Sequence, residues 1–373
     1  MRFKICVKLD NNYVLWFESS NQYIVVSALI KDLLDVYFQT ANKSSFIYLL
    51  GQKNISQADA LSYYQNIHNL ITSSNSTVKE TSVPESIFPK KSVNTIKHYK
   101  FGNIQISVSY SSLEIENLIH PQWSHTAVDH NPNPSVSFHI LKDENNLFLV
   151  RNEKCIGYYH TDSYHLLQGQ FALQIINTLY NKTESDWIAT FHASTVCNEN
   201  EAIMIIGASG NGKSTLSAVL MDSGIDVLAD DFTPLLAKDK MVYRYPSGIS
   251  VKQGAFEMLN QLYSEFEKFP LYKSTSKKVN VKYIPPVKDF ESGIPHLPCK
   301  KIVYVKYDSN GQSSLNKVRT EKILETLVPE SWISPLASNA KLFLEWIKEL
   351  QCYELTYSDN DIAVSKFNEL FQA

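Results

Sequence analysis

"IIGASGNGKST", residues 205–215, sets three glycines among small polar residues and ends on a lysine and two hydroxyl side chains. It fits the pattern G-x-x-x-x-G-K-[ST], with Gly207, Gly212, Lys213 and Ser214 in the fixed positions. The flanking residues supply the context that the pattern needs. "AIMIIG" (202–207) is short and apolar, as a buried strand is. "KSTLSAVLMDSG" (213–224) continues at helical spacing and stops at Gly224, a residue suited to a helix end. A glycine loop between strand and helix turns its backbone N–H groups toward one spot, and the helix adds the positive end of its dipole. Gly207, Ala208, Ser209, Gly210, Asn211, Gly212, Lys213, Ser214 and Thr215 are therefore candidates for holding nucleotide phosphates. Lys213 would bring charge to the outer phosphates, and the Ser214 hydroxyl would ligate magnesium. A tight turn alone would account for the glycines, but not for the lysine and serine directly after them.

Downstream, "IDVLADDF" (225–232) reads as an apolar strand ending in two adjacent acids, Asp230 and Asp231. An acid pair at a strand end is commonly a solvated turn. Here the strand follows the loop's helix and is expected beside the loop's own strand, which would aim its end at the phosphates. One carboxylate could hold magnesium while its neighbour takes a proton from an incoming hydroxyl. Neighbours on a strand point to opposite faces, so the two need not share a role. Upstream, His192 ends "WIATFHAS" (187–194), expected as a strand neighbouring the loop. A core or surface histidine is the plain alternative.

Composition narrows the class. The chain has 373 residues, 44% of them apolar and 20% charged, with a formal net charge of −3. That balance suits a globular protein with a sizeable core and gives no basic excess for nucleic acid. The most basic stretch, Lys277-Lys278 with Lys273 and Lys282 nearby, reads as a solvated loop. Cys6, Cys155, Cys197, Cys299 and Cys352 are scattered, so neither a disulfide framework nor a zinc site is indicated. The start "MRFKICVKLDNN" lacks a signal-peptide core, and no apolar run approaches the ~20 residues that span a bilayer. A cytoplasmic protein with no membrane partner is the expectation.

Outside this region the pattern is mixed. "FKICVKLD" and "YVLWFES" alternate around Asn11-Asn12 and predict a hairpin. Helices are expected over 24–39, over 56–71 with Ser56 as N-cap, and over 169–180 with Phe171, Ala172, Ile175, Ile176 and Leu179 on one face. Residues 72–97, rich in Ser, Thr and Lys, read as a linker or long loop. "IQISVSY", "SVSFHIL", "NLFLVRN" and "CIGYYHTD" predict a small antiparallel sheet, and "LFLEWIKELQ" (342–351) a helix packed on a sheet. Two domains follow: 1–165, a mixed α+β unit and a candidate for acceptor recognition, and 166–373, carrying the glycine loop.

The order and spacing of His192 in an "HA" segment, a G-x-S-G-x-G-K-[ST] loop and an "ADD" strand end resemble the HPr kinase/phosphorylase family. The likeness covers about residues 190–236. More loosely, 243–254, 281–286, 300–307 and 352–359 look like the C-terminal half of HPr-kinase-like proteins. The resemblance implies an α/β (α+β) fold, namely a P-loop kinase domain of HPr-kinase/PEP-carboxykinase type with a mixed sheet. It also implies roles: Lys213 and the amides of 208–214 on the phosphates, Ser214 and Asp231 toward magnesium, Asp230 as the base, and His192 orienting phosphates or base. The glycine-rich signature that bifunctional members carry after the acidic pair is replaced by "RYPSGISVKQG". Phosphorolysis, HPr as acceptor and a hexamer are therefore not implied. Arg244 and Lys252 in that stretch read as surface residues, with a charge contact to phosphate as the alternative.

These readings converge on an ATP- and Mg2+-dependent kinase acting on a hydroxyl of a peptide, a protein or a small metabolite, with a homo-oligomer possible. The alternative is a nucleotide-gated binding or regulatory module without transfer. A decarboxylating enzyme of phosphoenolpyruvate-carboxykinase type shares the loop, but the chain shows no further His/Lys metal constellation upstream. The absence of an Asn/Thr-Lys-x-Asp segment favours ATP over GTP.

Overall fold

The computed structural model describes residues 2–76, 93–129, 133–273 and 279–372. Its first element group is an antiparallel meander of Ile5–Leu9, Asn12–Phe17 and Gln22–Ser27, covered by helices Ala28–Gln39, Lys43–Gly51 and Gln57–Ser74. Leu9 pairs with Asn12, so the hairpin turns on Asp10-Asn11, one residue earlier than expected. The helix expected over 24–39 begins only at Ala28. Ile24, Val25 and Val26 are β-branched and complete the meander instead. Ser27 then caps the helix, its side chain accepting from the Ile30 amide. Ser56 caps Gln57–Ser74 in the expected way, with Oγ accepting from Asp59 N at 3.1 Å. Residues 72–74 and 95–97 of the expected linker belong to that helix and to the next strand, while 77–92 lie outside the described residues.

A six-stranded sheet follows, ordered Ala127–Val128, Thr95–Phe101, Ile104–Tyr110, Val136–Asp143, Asn146–Arg151, Lys154–His160. It is not wholly antiparallel. Ile104–Tyr110 and Val136–Asp143 run parallel, because a crossover containing helix Leu113–Ile119 joins them. Helix Tyr164–Leu179 covers this sheet through Leu167, Phe171, Ile175 and Leu179. The expected domain boundary at 165/166 thus falls inside the first turn of the helix that covers this sheet. The same apolar cluster continues into Trp187, Ala229 and Tyr243 of the next sheet.

That third sheet is ten-stranded and mixed. Its axis is the long strand His296–Tyr307. The first residues pair antiparallel with Met241–Tyr243. The rest runs parallel to Ala202–Ile206 on one side and to Gln351–Tyr357 on the other. Side chains alternate between the faces. Ile203, Ile205, Val303 and Val305 meet helices Lys213–Asp222 and Asn360–Gln372. Met204, Ile206 and Ile302 meet helices Thr320–Leu327 and Ala337–Lys348, onto which Leu9, Val14 and Trp16 of the N-terminal meander also pack. The helix expected at 342–351 therefore does pack on a sheet, although Gln351 already belongs to the next strand.

Arg244 is neither a surface residue nor a phosphate contact. Only 1% exposed, it pairs with Asp226 at 2.5 Å and donates to the carbonyls of Val227 and Ile294, both at 3.0 Å. Gly293 lies against the guanidinium so closely that a Cβ there would sit 2.4 Å from Cζ. Arg244→Met is expected to lower stability by about 3–5 kcal/mol, since it strands the Asp226 carboxylate without its cation. Thermal unfolding of the two chains checks this. Lys282 is likewise buried, its ammonium donating to the Phe266 and Glu267 carbonyls at 2.7 and 3.0 Å. It is no part of a solvated basic loop, and Lys277 and Lys278 lie outside the described residues. No helix of the described residues is long and apolar enough to cross a membrane.

Candidate active site

The glycine loop leaves strand Ala202–Ile206 and enters helix Lys213–Asp222. Gly207 starts it flush against the neighbouring strand: a Cβ there would stand 2.7 Å from the Val305 carbonyl oxygen. Gly212 ends it in the left-handed region (φ 89°), where a side chain would be strained and would approach the Tyr357 hydroxyl. The first helical bond runs from Leu216 N to Gly212 O at 2.8 Å. The amides of Lys213, Ser214 and Thr215 therefore have no partner within the helix and point out of its end. The Lys213 ammonium doubles back to donate to Gly207 O at 2.6 Å and is buried.

Loop and helix end face a cleft of about 440 Å³, lined by Ala208, Ser209, Gly210, Gly212 and Lys213–Thr215. Two loop residues are set apart from it. Gly207 lies beneath the loop, and Asn211 turns away, its amide donating to the Tyr304 hydroxyl at 3.3 Å. The far wall holds residues that the sequence pattern did not single out, among them Tyr307, Tyr357, Ser250, Met258 and Asn360. They come from strands and helices 40 to 150 positions downstream, so no local spacing marks them. Tyr307 is half exposed and meets Tyr357 edge-on at 5.4 Å. Lys252 also lines the cleft, on its rim rather than in the core.

The acidic pair reaches this cleft by a different route from the one expected. Strand Asp226–Ala229 does not lie beside Ala202–Ile206; Ser194–Cys197 runs between them, antiparallel to both. Trp187–Phe191 lies in the other half of the sheet, beside Thr233–Leu236. The chain crosses between these halves twice, at His192-Ala193 and at Asp230–Phe232. Thr233 ties the crossings together, with Oγ1 donating to Ala193 O at 2.9 Å and lying 2.8 Å from Thr195 Oγ1. His192 and the two acids meet because both crossings occur at one place. The strand expected to carry His192 beside the loop is interrupted by the crossing, and only its continuation, Ser194–Cys197, is the loop strand's neighbour.

The two acids differ sharply. Asp231 is exposed, in the left-handed region (φ 59°), and lines the cleft. Asp230 is 2% exposed. Its Oδ1 accepts from Ser194 Oγ at 2.5 Å and its Oδ2 from the Ser250 amide at 3.1 Å. Burial pushes its carboxyl up to about 7; the Asp231 charge adds to that rise, while hydrogen bonds from Ser194, Ser250 and Ser214 oppose it. The Ser214 hydroxyl at the end of the loop is thus near the acid. A divalent ion suits these groups. Among the described residues no three His, Cys, Asp or Glu side chains form a metal cage. Magnesium does not require one, since it is commonly held by one or two carboxylates, a hydroxyl, water and phosphate.

Behind the acidic pair opens a second cavity of about 850 Å³, reaching to helix Tyr164–Leu179 and the Trp332 segment. His192, Asp231 and Ser250 line both spaces, whereas Asp230 lines only the larger one. Burial raises the phenols of Tyr245 and Tyr283 on its wall, the latter to about 12, with the Asp231 charge contributing to each. Both stay protonated as hydrogen-bond donors near neutrality.

Comparison with known proteins adds little to this geometry. No family model matches the sequence, and no curated protein does. Among solved structures, the Hpr(Ser) kinase/phosphatase from Coxiella burnetii overlaps 49% of this chain and 97% of its own, at 10% identity and a TM-score of 0.22. That is a weak and partial similarity, which decides nothing about the site.

Proposed function

We propose that the protein is a kinase that transfers the γ-phosphate of ATP to a hydroxyl group. The observation that carries this reading is the position of Asp230, a buried carboxyl between a glycine-loop cleft and a second cavity. The loop amides, the first-turn amides of Lys213–Thr215 and the Lys213 ammonium would hold the phosphates. Ser214 and Asp231 would hold magnesium, which when bound neutralises phosphate charge. From the second cavity, the acceptor hydroxyl gives its proton to an Asp230 carboxylate oxygen. Its oxygen forms the new bond to the γ-phosphorus as the bond to the β–γ bridging oxygen breaks and ADP departs. His192, facing both spaces, would orient the phosphate or the base.

The half-exposed Tyr307 ring would flank the nucleotide base. Tyr307→Ala is expected to weaken ATP binding by about tenfold with little change in kcat, which titration of the nucleotide and steady-state rates would separate. The reading itself is tested by the fate of γ-labelled ATP. Label transferred to an acceptor, and lost with Lys213→Ala and with Asp230→Asn, supports a kinase. Tight ATP binding with the label left in place, unchanged by Asp230→Asn, would instead make the protein a nucleotide-gated binding module.

A further inference from the structure

The second cavity has a chemistry of its own. Much of its polar lining is uncharged, with Gln122, Gln168 and Gln170 sharing the wall with the aromatic residues Tyr245, Tyr283 and Trp332. No lysine or arginine lines it, while three carboxylates do: Asp230, Asp231 and Glu330. The carboxylates disfavour an anionic ligand, and the basic side chains on this wall are the imidazoles of His165 and His192 alone. One polar atom in it is unmet. The Tyr245 hydroxyl is buried and, among the described residues, has no hydrogen-bond partner. A buried hydroxyl left unpaired is costly, so this donor marks where a ligand oxygen would be received. A volume of about 850 Å³ suits a small molecule or a few residues of chain, not a folded domain.

We infer that this cavity is the acceptor site, and that it takes an uncharged hydroxyl compound of small-molecule size, either a polyol or a short seryl segment, with Tyr245 as an anchoring donor. The inference rests on the kinase reading for what happens to the hydroxyl, but not for what the cavity binds. Asp230 lines the cavity and not the cleft, so an acceptor seated here meets the base first. Glu330 stands exposed at the mouth and sets its sign of charge. Gly169 also lies at the mouth, where a Cβ would meet nothing within 4 Å, so a large side chain can be placed there without displacing the wall.

The test uses matched probes on the full chain: N-acetylserine methylamide against N-acetylserine, and methyl glucoside against methyl glucuronide acid. Binding is read by ligand-observed NMR, and phosphate transfer from labelled ATP by product analysis. The uncharged member of at least one pair should bind at least tenfold better than its anionic counterpart, and the successful pair tells polyol from seryl segment. Gly169→Trp should abolish that binding and leave ATP binding within about twofold. Glu330→Gln should narrow the gap by several-fold through gain of the anionic probe. Anionic probes binding as well as uncharged ones, no probe binding at all, or unchanged binding in Gly169→Trp would each overturn the inference. Probes that bind as expected but never receive label while ATP is bound would instead count against the kinase reading and leave the inference standing.

Discussion

Asp230→Asn should lower phosphoryl transfer by on the order of 10²–10⁴-fold, the contribution typical of a positioned base, with ATP binding nearly unchanged. The replacement keeps the local hydrogen bonds. The amide oxygen can accept from Ser250 N, and the amide nitrogen can donate to Ser194 Oγ, which rotates to receive it. A fall in rate would then report the lost base and not a lost fold. The pH behaviour adds a second readout. In the proposed role Asp230 would act as a carboxylate, and burial pushes its carboxyl up to about 7. The transfer rate of the unaltered chain should therefore rise with pH and level off once Asp230 is ionised. Stability should move the other way. With its folded value raised, Asp230 binds more protons in the folded than in the unfolded chain between about pH 4 and 7, so stability falls as pH rises across that window. At pH 8 Asp230→Asn should then be the more stable chain, by on the order of 2–4 kcal/mol, as denaturant titrations at pH 5 and pH 8 would show. A variant with full transfer at pH 8 would remove Asp230 from the chemistry.

Lys213→Ala should cut transfer by on the order of 10³-fold and weaken ATP binding as well. The ammonium rests on Gly207 O in this structure, a short swing from the cleft that the loop amides face. Removing it deletes the buried cation of the glycine loop and leaves the Gly207 carbonyl without this donor. Alanine is an excellent helix former, and the change removes a buried charge, so the helix Lys213–Asp222 should persist. A far-ultraviolet spectrum and melting temperature close to those of the unaltered chain would exclude unfolding. Transfer kept within about tenfold would mean that the loop amides alone hold the phosphates.

Much of the cradle was legible in the sequence because it is local. Strand, glycine loop and helix are consecutive, and their backbone requirements are written in residues 202–224. The capping of Gln57–Ser74 by Ser56, and the buried face of helix Tyr164–Leu179, were readable for the same reason. Local signals compete elsewhere. Ile24-Val25-Val26 suits helical spacing on apolarity alone, but their β-branched side chains fit the meander that the preceding hairpin had begun. The parallel pair in the six-stranded sheet was hidden because its direction depends on a crossover, not on either strand.

The sequence by itself determined that residues 207–215 form a strand-to-helix glycine loop with a lysine and a serine at its end, since each feature depends on neighbours within a few positions. Only the tertiary structure decided what stands around that loop. The paired crossings at His192-Ala193 and Asp230–Phe232 bring histidine and acids together, and they set Ser194–Cys197 between two strands expected to touch. The burial that raises Asp230 while leaving Asp231 in solvent, the pairing that removes Arg244 from the site, and the carboxylate-lined cavity behind the acids all follow from packing between segments far apart in the chain. Desolvation depends on everything that surrounds a group, and no stretch of sequence contains its own surroundings.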